Sequence, residues 1–151
     1  MTDLVELAIE DWDAAGVSSP DREQALRDLE GGKVLYFPQL HCPVERIQPF
    51  LLSDTIANDS KNVSFDPATG ALRGSRLSEA LDENLKRAMS DYAALSTALL
   101  RTLFPRYSSA LIPGRTSFRP VEISTRKTSW RKDDTRLHVD SFPATPVHGK
   151  R

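Results

Sequence analysis

Two residues near the end of the chain have the types and spacing of metal ligands. His138 and Asp140 are separated by one residue in the stretch TRLHVDSFP. On a β-strand, residues two apart point to the same side, so the imidazole and the carboxylate would lie next to each other. With a second imidazole supplied from elsewhere, this pair would form the facial triad that holds Fe(II) and leaves coordination positions open. Taken alone, the H-x-D spacing is a weak signal, because it recurs by chance.

The other two histidines are poor candidates for the third ligand. His148 is joined to Asp140 by a connection with two prolines, which stiffen it, and a tight local loop would wrap around the metal. His41 is followed directly by Cys42. Adjacent residues of an extended segment point to opposite faces, so His41 is badly placed to activate this thiol. We expect Cys42 to be a small buried apolar residue.

Length and composition restrict the class of protein. The chain has 151 residues, enough for one hydrophobic core, and its single cysteine excludes an internal disulfide and a Cys-rich metal framework within it. No run of eighteen apolar residues occurs, and the first residues, MTDLVELAIEDWD, are acidic where a signal peptide would be basic and then apolar. A cytoplasmic globular protein is expected.

The charges are divided unevenly along the chain. Residues 1–105 contain ten Lys and Arg against seventeen Asp and Glu, whereas residues 106–151 contain ten against four. The basic end is where an anionic partner would bind. Nucleic acid is a weak alternative, because no recognition motif accompanies the basic residues and the acidic part would repel a phosphate backbone.

Helix and strand signals describe the elements that would position these residues. The spacing of apolar residues predicts a short helix over residues 2–16. A second helix is predicted with Ser19 as its N-cap, Pro20 at its first position and a Gly-Gly stop, followed by a strand in KVLYFP. Residues 43–57 predict a short helix broken by Pro49.

The middle of the chain predicts one strand and one long helix. NVSFDPATGALRG indicates a strand, a turn at residues 66–70 and a loop. A helix is predicted from Leu77 to Phe104, ended by Pro105, and its apolar stripe consists of Leu77, Leu81, Leu85, Met89, Tyr92, Leu95, Leu99 and Leu103. From Ser117 onward, β-branched and aromatic residues are mixed with charged ones without a helical stripe, which indicates strands and loops. Helices first and strands last favour an α+β fold, with helices backing one face of a sheet.

The sequence that flanks the H-x-D pair is more specific for a protein family than the spacing of the pair itself. SFRPVEISTRKTSWRKDDTRLHVDSFPATPVHGKR resembles the Kdo hydroxylase family of bacterial Fe(II)/2-oxoglutarate dioxygenases, and LEGGKVLYFPQL and RTLFPRYSSAL fit the same family. The block from Ser129 to Pro143 is the most specific part. The resemblance implies that His138 and Asp140 are the first two iron ligands, and that 2-oxoglutarate and O2 are co-substrates.

The resemblance also implies a fold and a substrate. The expected fold is α+β, with N-terminal helices packed on part of a double-stranded β-helix (jelly-roll, cupin-like). Residues 1–105 would be mainly helical with short strands, and residues 106–151 would form the first strands of the β-helix core. The substrate would be 3-deoxy-D-manno-oct-2-ulosonic acid (Kdo) on the lipid A inner core of lipopolysaccharide, reached by a cytoplasmic protein that contacts the inner membrane peripherally.

A carboxylated sugar on a phosphorylated lipid calls for basic residues at its binding site. The candidates for these contacts are Arg126, Lys127, Arg131, Lys132 and Arg136. The alternative for this run is a solvated strand edge that pairs with Asp133 and Asp134. Trp130 is a candidate for stacking on a sugar ring, although a role in the core fits it as well.

Members of the resembled family look about twice as long as this chain. The resemblance implies that the distal iron histidine and the basic residue that grips 2-oxoglutarate lie beyond Arg151, so the chain is expected to be an N-terminal fragment that binds iron poorly and turns over little. Two alternatives stay open. One is an oxygenase of the same fold with another substrate, and the other is a non-catalytic remnant that binds an anionic lipid or sugar.

Overall fold

The computed structural model describes residues 3–120 apart from residues 43, 52, 57–59 and 61, and these residues belong to one compact unit, Met1–Pro120. Its helices and strands, in chain order, are β1 (Leu4–Glu6), α1 (Ser19–Glu30), β2 (Val34–Tyr36), β3 (Val63–Asp66), β4 (Ala71–Arg73), α2 (Glu79–Leu103) and β5 (Thr116–Phe118).

The N-terminal segment is a strand and a loop, so the helix predicted over residues 2–16 is wrong. β1 pairs in parallel with β2, with Val5 opposite Leu35. The Val34 amide donates to the Asp3 carbonyl at 2.6 Å, which extends the ladder. A short isolated helix is marginal in water, whereas pairing with β2 satisfies the backbone of this segment. The loop after β1 then buries Ile9 in the core.

Helix α1 begins at Ser19, one residue earlier than predicted. Ser18, not Ser19, is the N-cap, and its Oγ accepts a hydrogen bond from the Asp21 amide at 3.3 Å. The same hydroxyl donates to the Asp21 carboxylate at 2.6 Å, so the two side chains close the first turn reciprocally. At the other end, the Gly31 amide donates to the Arg27 carbonyl, and Gly32 adopts a positive φ of 84°. The Gly-Gly stop is confirmed.

The segment NVSFDPATGALRG forms a hairpin, not a strand followed by a loop. β3 and β4 are antiparallel, and the turn closes where the Gly70 amide donates to the Asp66 carbonyl at 2.8 Å. β4 has only three residues, too few to show an alternating pattern in the sequence. β5 pairs with the other edge of β3, which gives the sheet order β4-β3-β5.

Helix α2 has 25 residues, close to the bounds predicted for it. Its buried residues are Leu85, Ala88, Met89, Leu99 and Leu103. Leu81 and Tyr92, which belong to the predicted stripe, are exposed. Leu81 and the buried Leu99 are 18 residues apart, which is about five full turns, so they point in the same direction. The exposure of Leu81 therefore reflects what packs against its turn of α2, not the direction of its side chain.

Two apolar clusters form the core of the unit. The first cluster joins the β1 region, α1 and the last turns of α2; its buried members are Ile9, Ala14, Ala25, Leu26, Leu99, Leu103 and Phe104. The second joins the first half of α2 to the three-stranded sheet; its buried members are Phe50, Ile56, Val63, Phe65, Leu85 and Met89. Each cluster therefore contains residues from α2.

The described residues confirm a mixture of helices and strands, with α2 backing the three-stranded sheet. The predicted order, helices first and strands last, does not hold within the described residues, because four of the five strands described there precede α2. The strands predicted after Pro120 lie outside the described residues. Within residues 43–57 the described parts form short 3₁₀ turns, and Pro49 lies in one of them, as expected for a broken helix.

Candidate functional site

The residues predicted to bind metal and substrate lie outside the described residues. They are His138, Asp140, Arg126, Lys127, Trp130, Arg131, Lys132 and Arg136, and His148, the rejected alternative ligand, lies outside the described residues as well. Their assignments therefore stay predictions. β5 is the last described strand before them, and the chain is described as far as Pro120. The described residues nearest in sequence to the proposed site are those of β5, and the cavities next to β5 are the surfaces that can be compared with the proposed substrate.

β5 is held by backbone and side-chain contacts. Phe118 pairs with Val63 across the sheet, and its ring packs against the second core cluster. The Asn62 side chain donates a hydrogen bond to Ser117 Oγ. A three-residue strand has few ladder hydrogen bonds, so these side chains and α2 behind it account for much of its stability. The residues that follow β5 in the sequence thus begin from a fixed strand.

A small cavity of about 170 Å³ lies between α2 and β5. Its lining residues are Cys42, Arg46, Ile47, Ala88, Met89, Asp91, Tyr92, Thr116, Ser117 and Phe118. Arg46 and Asp91 form an ion pair across 45 residues of sequence, and no motif indicates this pair. The volume is below the range of about 300 to 1,000 Å³ that is usual for small-molecule sites. This cavity is therefore too small for a sugar-lipid substrate.

A larger cavity of about 360 Å³ lies between α2 and the segment 111–117 that leads into β5. Its polar groups include the hydroxyls of Ser96 and Thr97, which donate to the carbonyls one turn earlier at 2.8 and 2.7 Å. These hydroxyls thus keep only acceptor capacity toward a ligand. Arg115 also lines the cavity and lies 3.5 Å from the Asp66 carboxylate, with its side chain largely exposed. Arg115 is the cationic group of this cavity.

A third cavity, of about 510 Å³, lies between the N-terminal loop and α1 and has an acidic lining. Its carboxylates are those of Glu6, Glu10, Asp11, Asp21 and Asp28. Asp28 is buried and accepts hydrogen bonds from Lys33 Nζ at 2.7 Å and Gln24 Nε2 at 3.1 Å. The bond from Lys33, followed by that from Gln24, lowers the pKa of this carboxyl. The remaining carboxylates make the cavity unsuitable for an anionic substrate.

The structure separates the environments of His41 and Cys42. His41 is exposed, and its carbonyl accepts a hydrogen bond from Trp12 Nε1 at 2.9 Å. Cys42 is half-buried, so it is more accessible than the buried apolar residue that was expected. Desolvation, followed by the charge of Glu45, raises the pKa of the Cys42 thiol. The thiol is therefore neutral near pH 7 and unsuited to act as a nucleophile.

Within residues 3–120 and their stated gaps, no group of three or more His, Cys, Asp or Glu side chains could hold a metal ion. In the same part of the chain, no helix is long and apolar enough to cross a membrane.

Residues 11–151 match the family model described as 3-deoxy-D-manno-oct-2-ulosonic acid (Kdo) hydroxylase. Three solved structures of the Kdo hydroxylase KdoO, a non-heme Fe(II) alphaketoglutarate-dependent dioxygenase, are similar to this chain. The complex with cobalt(II) is 40% identical with a TM-score of 0.84, and the match covers 97% of this chain and 49% of that chain. The complex with alphaketoglutarate and Fe(III) is 40% identical with a TM-score of 0.81, covering 95% and 48%.

The apo structure of KdoO is 41% identical with a TM-score of 0.83, again covering 95% of this chain and 48% of that chain. The chain therefore spans about half the length of the solved structures it matches. The comparison with curated proteins returned no significant match. A family model that matches residues 11–151, together with about 40% identity to these structures, shows that the chain belongs to the Kdo hydroxylase family.

Proposed function

We propose that this chain is part of an Fe(II)/2-oxoglutarate-dependent dioxygenase that hydroxylates Kdo in the lipid A inner core of lipopolysaccharide. The observation that carries the proposal is the similarity to KdoO in complex with alphaketoglutarate and Fe(III), at 40% identity over 95% of this chain. We further propose that the strands following β5 belong to a double-stranded β-helix, the fold that the resemblance implies.

The proposed metal ligands of this chain are His138 and Asp140. An imidazole nitrogen and a carboxylate oxygen suit Fe(II), and two protein ligands leave positions for a third ligand and for 2-oxoglutarate. Bound iron would couple the decarboxylation of 2-oxoglutarate to hydroxylation of a C–H bond, with one atom of O2 in succinate and the other in the product hydroxyl. The role of the chain is to hold the ligands and orient the sugar.

The basic run after β5 is the proposed contact for the anionic substrate. Arg126, Arg131 and Arg136 are suited to bidentate hydrogen bonds with the Kdo carboxylate, whereas Lys132 would act as a point charge. Trp130 would stack on a sugar ring. These assignments follow from residue type and from the absence of any similar basic run earlier in the sequence.

The described unit supports this proposal as a scaffold. α2 and the second core cluster fix β5, and β5 leads directly into the segment that carries the proposed ligands. Catalytic groups have to be held within about 0.5 Å of a productive geometry, which rigid elements achieve better than loops. In this proposal the first 120 residues contribute positioning, and residues 121–151 contribute chemistry.

Cobalt(II) titration tests the metal assignment, because cobalt has visible d–d bands that report its ligand geometry. We expect His138→Ala and Asp140→Ala each to weaken Co(II) binding by at least about tenfold, as for loss of one ligand of a small set. His148→Ala is the matched control and should leave binding unchanged. Equal binding by all variants would refute the assignment of His138 and Asp140, and loss of binding only in His148→Ala would transfer the ligand role to His148.

Incubation of the complete enzyme, of which this chain is proposed to be a part, with Fe(II), 2-oxoglutarate and Kdo-lipid A tests the activity. The proposal predicts formation of succinate and a gain of one oxygen atom by the Kdo-lipid A, seen by mass spectrometry. Succinate formation stimulated by a different sugar or lipid would favour an oxygenase of the same fold with another substrate. Binding of Kdo-lipid A without any turnover would favour a non-catalytic binding protein.

The proposed substrate is anchored in a membrane, so we also propose that the protein contacts the inner face of the cytoplasmic membrane peripherally. Support for this comes from the substrate chemistry alone, since a sugar attached to lipid A cannot leave the bilayer at a low free-energy cost. Sedimentation of the protein with vesicles that contain Kdo-lipid A tests this contact.

A further inference from the structure

A long stretch of the chain has positive charges and no negative ones. Residues 92–121 contain four arginines, Arg101, Arg106, Arg115 and Arg119, and no Asp or Glu. The rest of the chain before residue 92 is acidic in balance. The stretch covers the second half of α2, the connection to β5 and β5 itself. One part of the described unit is therefore locally basic.

The connection within this stretch exposes a large apolar side chain. Ile112 is 91% exposed, the highest value among the exposed large hydrophobic residues that the structure describes. It lies between Leu111, which is half-buried, and Pro113. Transfer of this side chain out of water is favourable, so a partner that offers it an apolar environment would gain binding free energy from the contact.

The base of this loop is well anchored. The Ala110 amide donates to the Tyr107 carbonyl at 2.9 Å, and the Ser108 amide donates to the Pro105 carbonyl at 3.2 Å. Tyr107 Oη donates to a Glu30 carboxylate oxygen at 2.6 Å, which ties the loop to α1. Ile112 is thus presented outward from a loop with a fixed base.

The loop tip and Arg115 line one cavity, and Arg101 lies on α2 close to its lining residues. Ile112, Arg115 and Leu100 line the cavity of about 360 Å³ between α2 and β5, and Thr97 lines it as well. Arg101 lies one helical turn beyond Thr97, which places the two side chains next to each other on α2. Of the carboxylates nearby, Asp66 pairs with Arg115, and Glu30 accepts the Tyr107 hydrogen bond.

We propose that the segment 107–115, with Ile112 at its tip, docks this protein on an anionic lipid bilayer, with Ile112 inserted among the headgroups and Arg101 and Arg115 next to lipid phosphates. An apolar tip with basic neighbours matches a bilayer surface, which offers an apolar layer below an anionic one. The phosphates of a nucleic acid would bind the arginines, but a nucleic acid offers no apolar layer for the exposed isoleucine. The proposal deepens the proposed function and rests on it for its biological setting.

Vesicle binding tests the docking surface without any need for turnover. The probe is a vesicle of equal parts phosphatidylglycerol and phosphatidylcholine, free of Kdo-lipid A, and the readout is the fraction of the full chain that floats with the vesicles. We expect Ile112→Ser to weaken partitioning about tenfold or more, and Arg101→Gln with Arg115→Gln to weaken it by a similar factor. Pure phosphatidylcholine vesicles should bind weakly.

The matched controls are an exposed leucine and an exposed arginine elsewhere. Leu81→Ser removes an exposed apolar side chain from the acidic start of α2, and Arg27→Gln removes an exposed charge from α1. Both should change partitioning by less than about twofold. Circular dichroism shows whether each variant is folded. Equal loss in the controls and in Ile112→Ser would overturn the proposal.

Insertion is measured directly with Ile112→Trp. Its added fluorescence should shift to shorter wavelength on binding and be quenched by brominated lipids, relative to the native chain with its two tryptophans. Charge-dependent binding without quenching would overturn the insertion of Ile112. Binding only to vesicles that contain Kdo-lipid A would overturn the proposal, because it would show recognition of the substrate instead of a bilayer surface. A protein that binds the vesicles but shows neither metal binding nor turnover would contradict the proposed function alone.

Discussion

Replacing Leu85 with alanine tests whether the contact between α2 and the three-stranded sheet stabilises the unit that presents β5. Leu85 is 0% exposed and belongs to the second core cluster with Val63 and Phe65 of β3. The substitution removes the isopropyl end of the side chain, which is three carbon atoms, from this interface. A Leu→Ala change in a rigid core costs about 2.7 to 5 kcal/mol, because the lost burial and the cavity both contribute.

The expected loss is large compared with the stability of such a chain. The free energy of unfolding of a domain of this size is about 5 to 15 kcal/mol, so a loss of about 3 kcal/mol removes a fifth or more of it. At about 2 to 4 °C per kcal/mol, the melting temperature should fall by about 6 to 12 °C. Urea unfolding followed by circular dichroism measures the change, and the slope of the transition should stay unchanged.

Leu81→Ala is the matched control, because Leu81 lies one turn earlier on the same helix and is 45% exposed. This substitution should lower the free energy of unfolding by less than about 1 kcal/mol, since the Leu81 side chain buries little apolar surface on folding. Amide hydrogen exchange at β5 adds a local readout and should accelerate in Leu85→Ala more than in Leu81→Ala. Similar losses from both substitutions would refute the assignment of Leu85 to the interface that holds the sheet.

Three further predictions concern the backbone and two titratable groups. Gly74→Ala should destabilise the protein by about 2 kcal/mol or more, because at a φ of 81° the new Cβ would lie 2.5 Å from a backbone oxygen; Gly70→Ala has the same strain without this clash and should cost about 1 kcal/mol in urea unfolding. Asp28→Asn should lower the urea midpoint at pH 7, since the bond from Lys33 lowers the pKa of Asp28. This difference should shrink as the pH falls below the ordinary value of 3.8. In a titration followed at 295 nm, Tyr107→Phe should remove a phenol that ionises above its ordinary pKa, because hydrogen bonding to its glutamate acceptor raises the pKa of Tyr107. Its contribution to stability is present below pH 10.0 and is lost as the pH rises through the folded-state pKa; an unchanged titration curve would contradict the contact.

Elements with explicit start and stop signals were predictable from the sequence. α1 has a serine cap, a proline in its first turn and a Gly-Gly stop, and α2 ends before Pro105. β1 was not predictable, because its pairing with a strand 30 residues away has no local signal, whereas its apolar spacing imitates a helix. β4 was missed because three residues cannot show a period.

The candidate site was predictable only from the sequence immediately around its proposed metal ligands. The H-x-D pair of His138 and Asp140 needed the surrounding block to become specific, and both residues lie outside the described residues. The Arg46–Asp91 pair joins residues far apart in sequence, which is visible only after folding. The acid-free stretch around Ile112 was readable in the sequence, but its exposure depends on how the loop is anchored.

Helix α2 places residues of both apolar clusters on one continuous rod about 37 Å long. Two clusters joined only by loops could open one at a time, each with its own free energy. Because the two clusters pack on opposite halves of one helix, opening either cluster leaves half of α2 without packing, and a helical segment that short is marginal in water, so the two are expected to unfold as a single cooperative unit. A helix breaker midway along the rod, such as Ala94→Pro, should split one thermal transition into two.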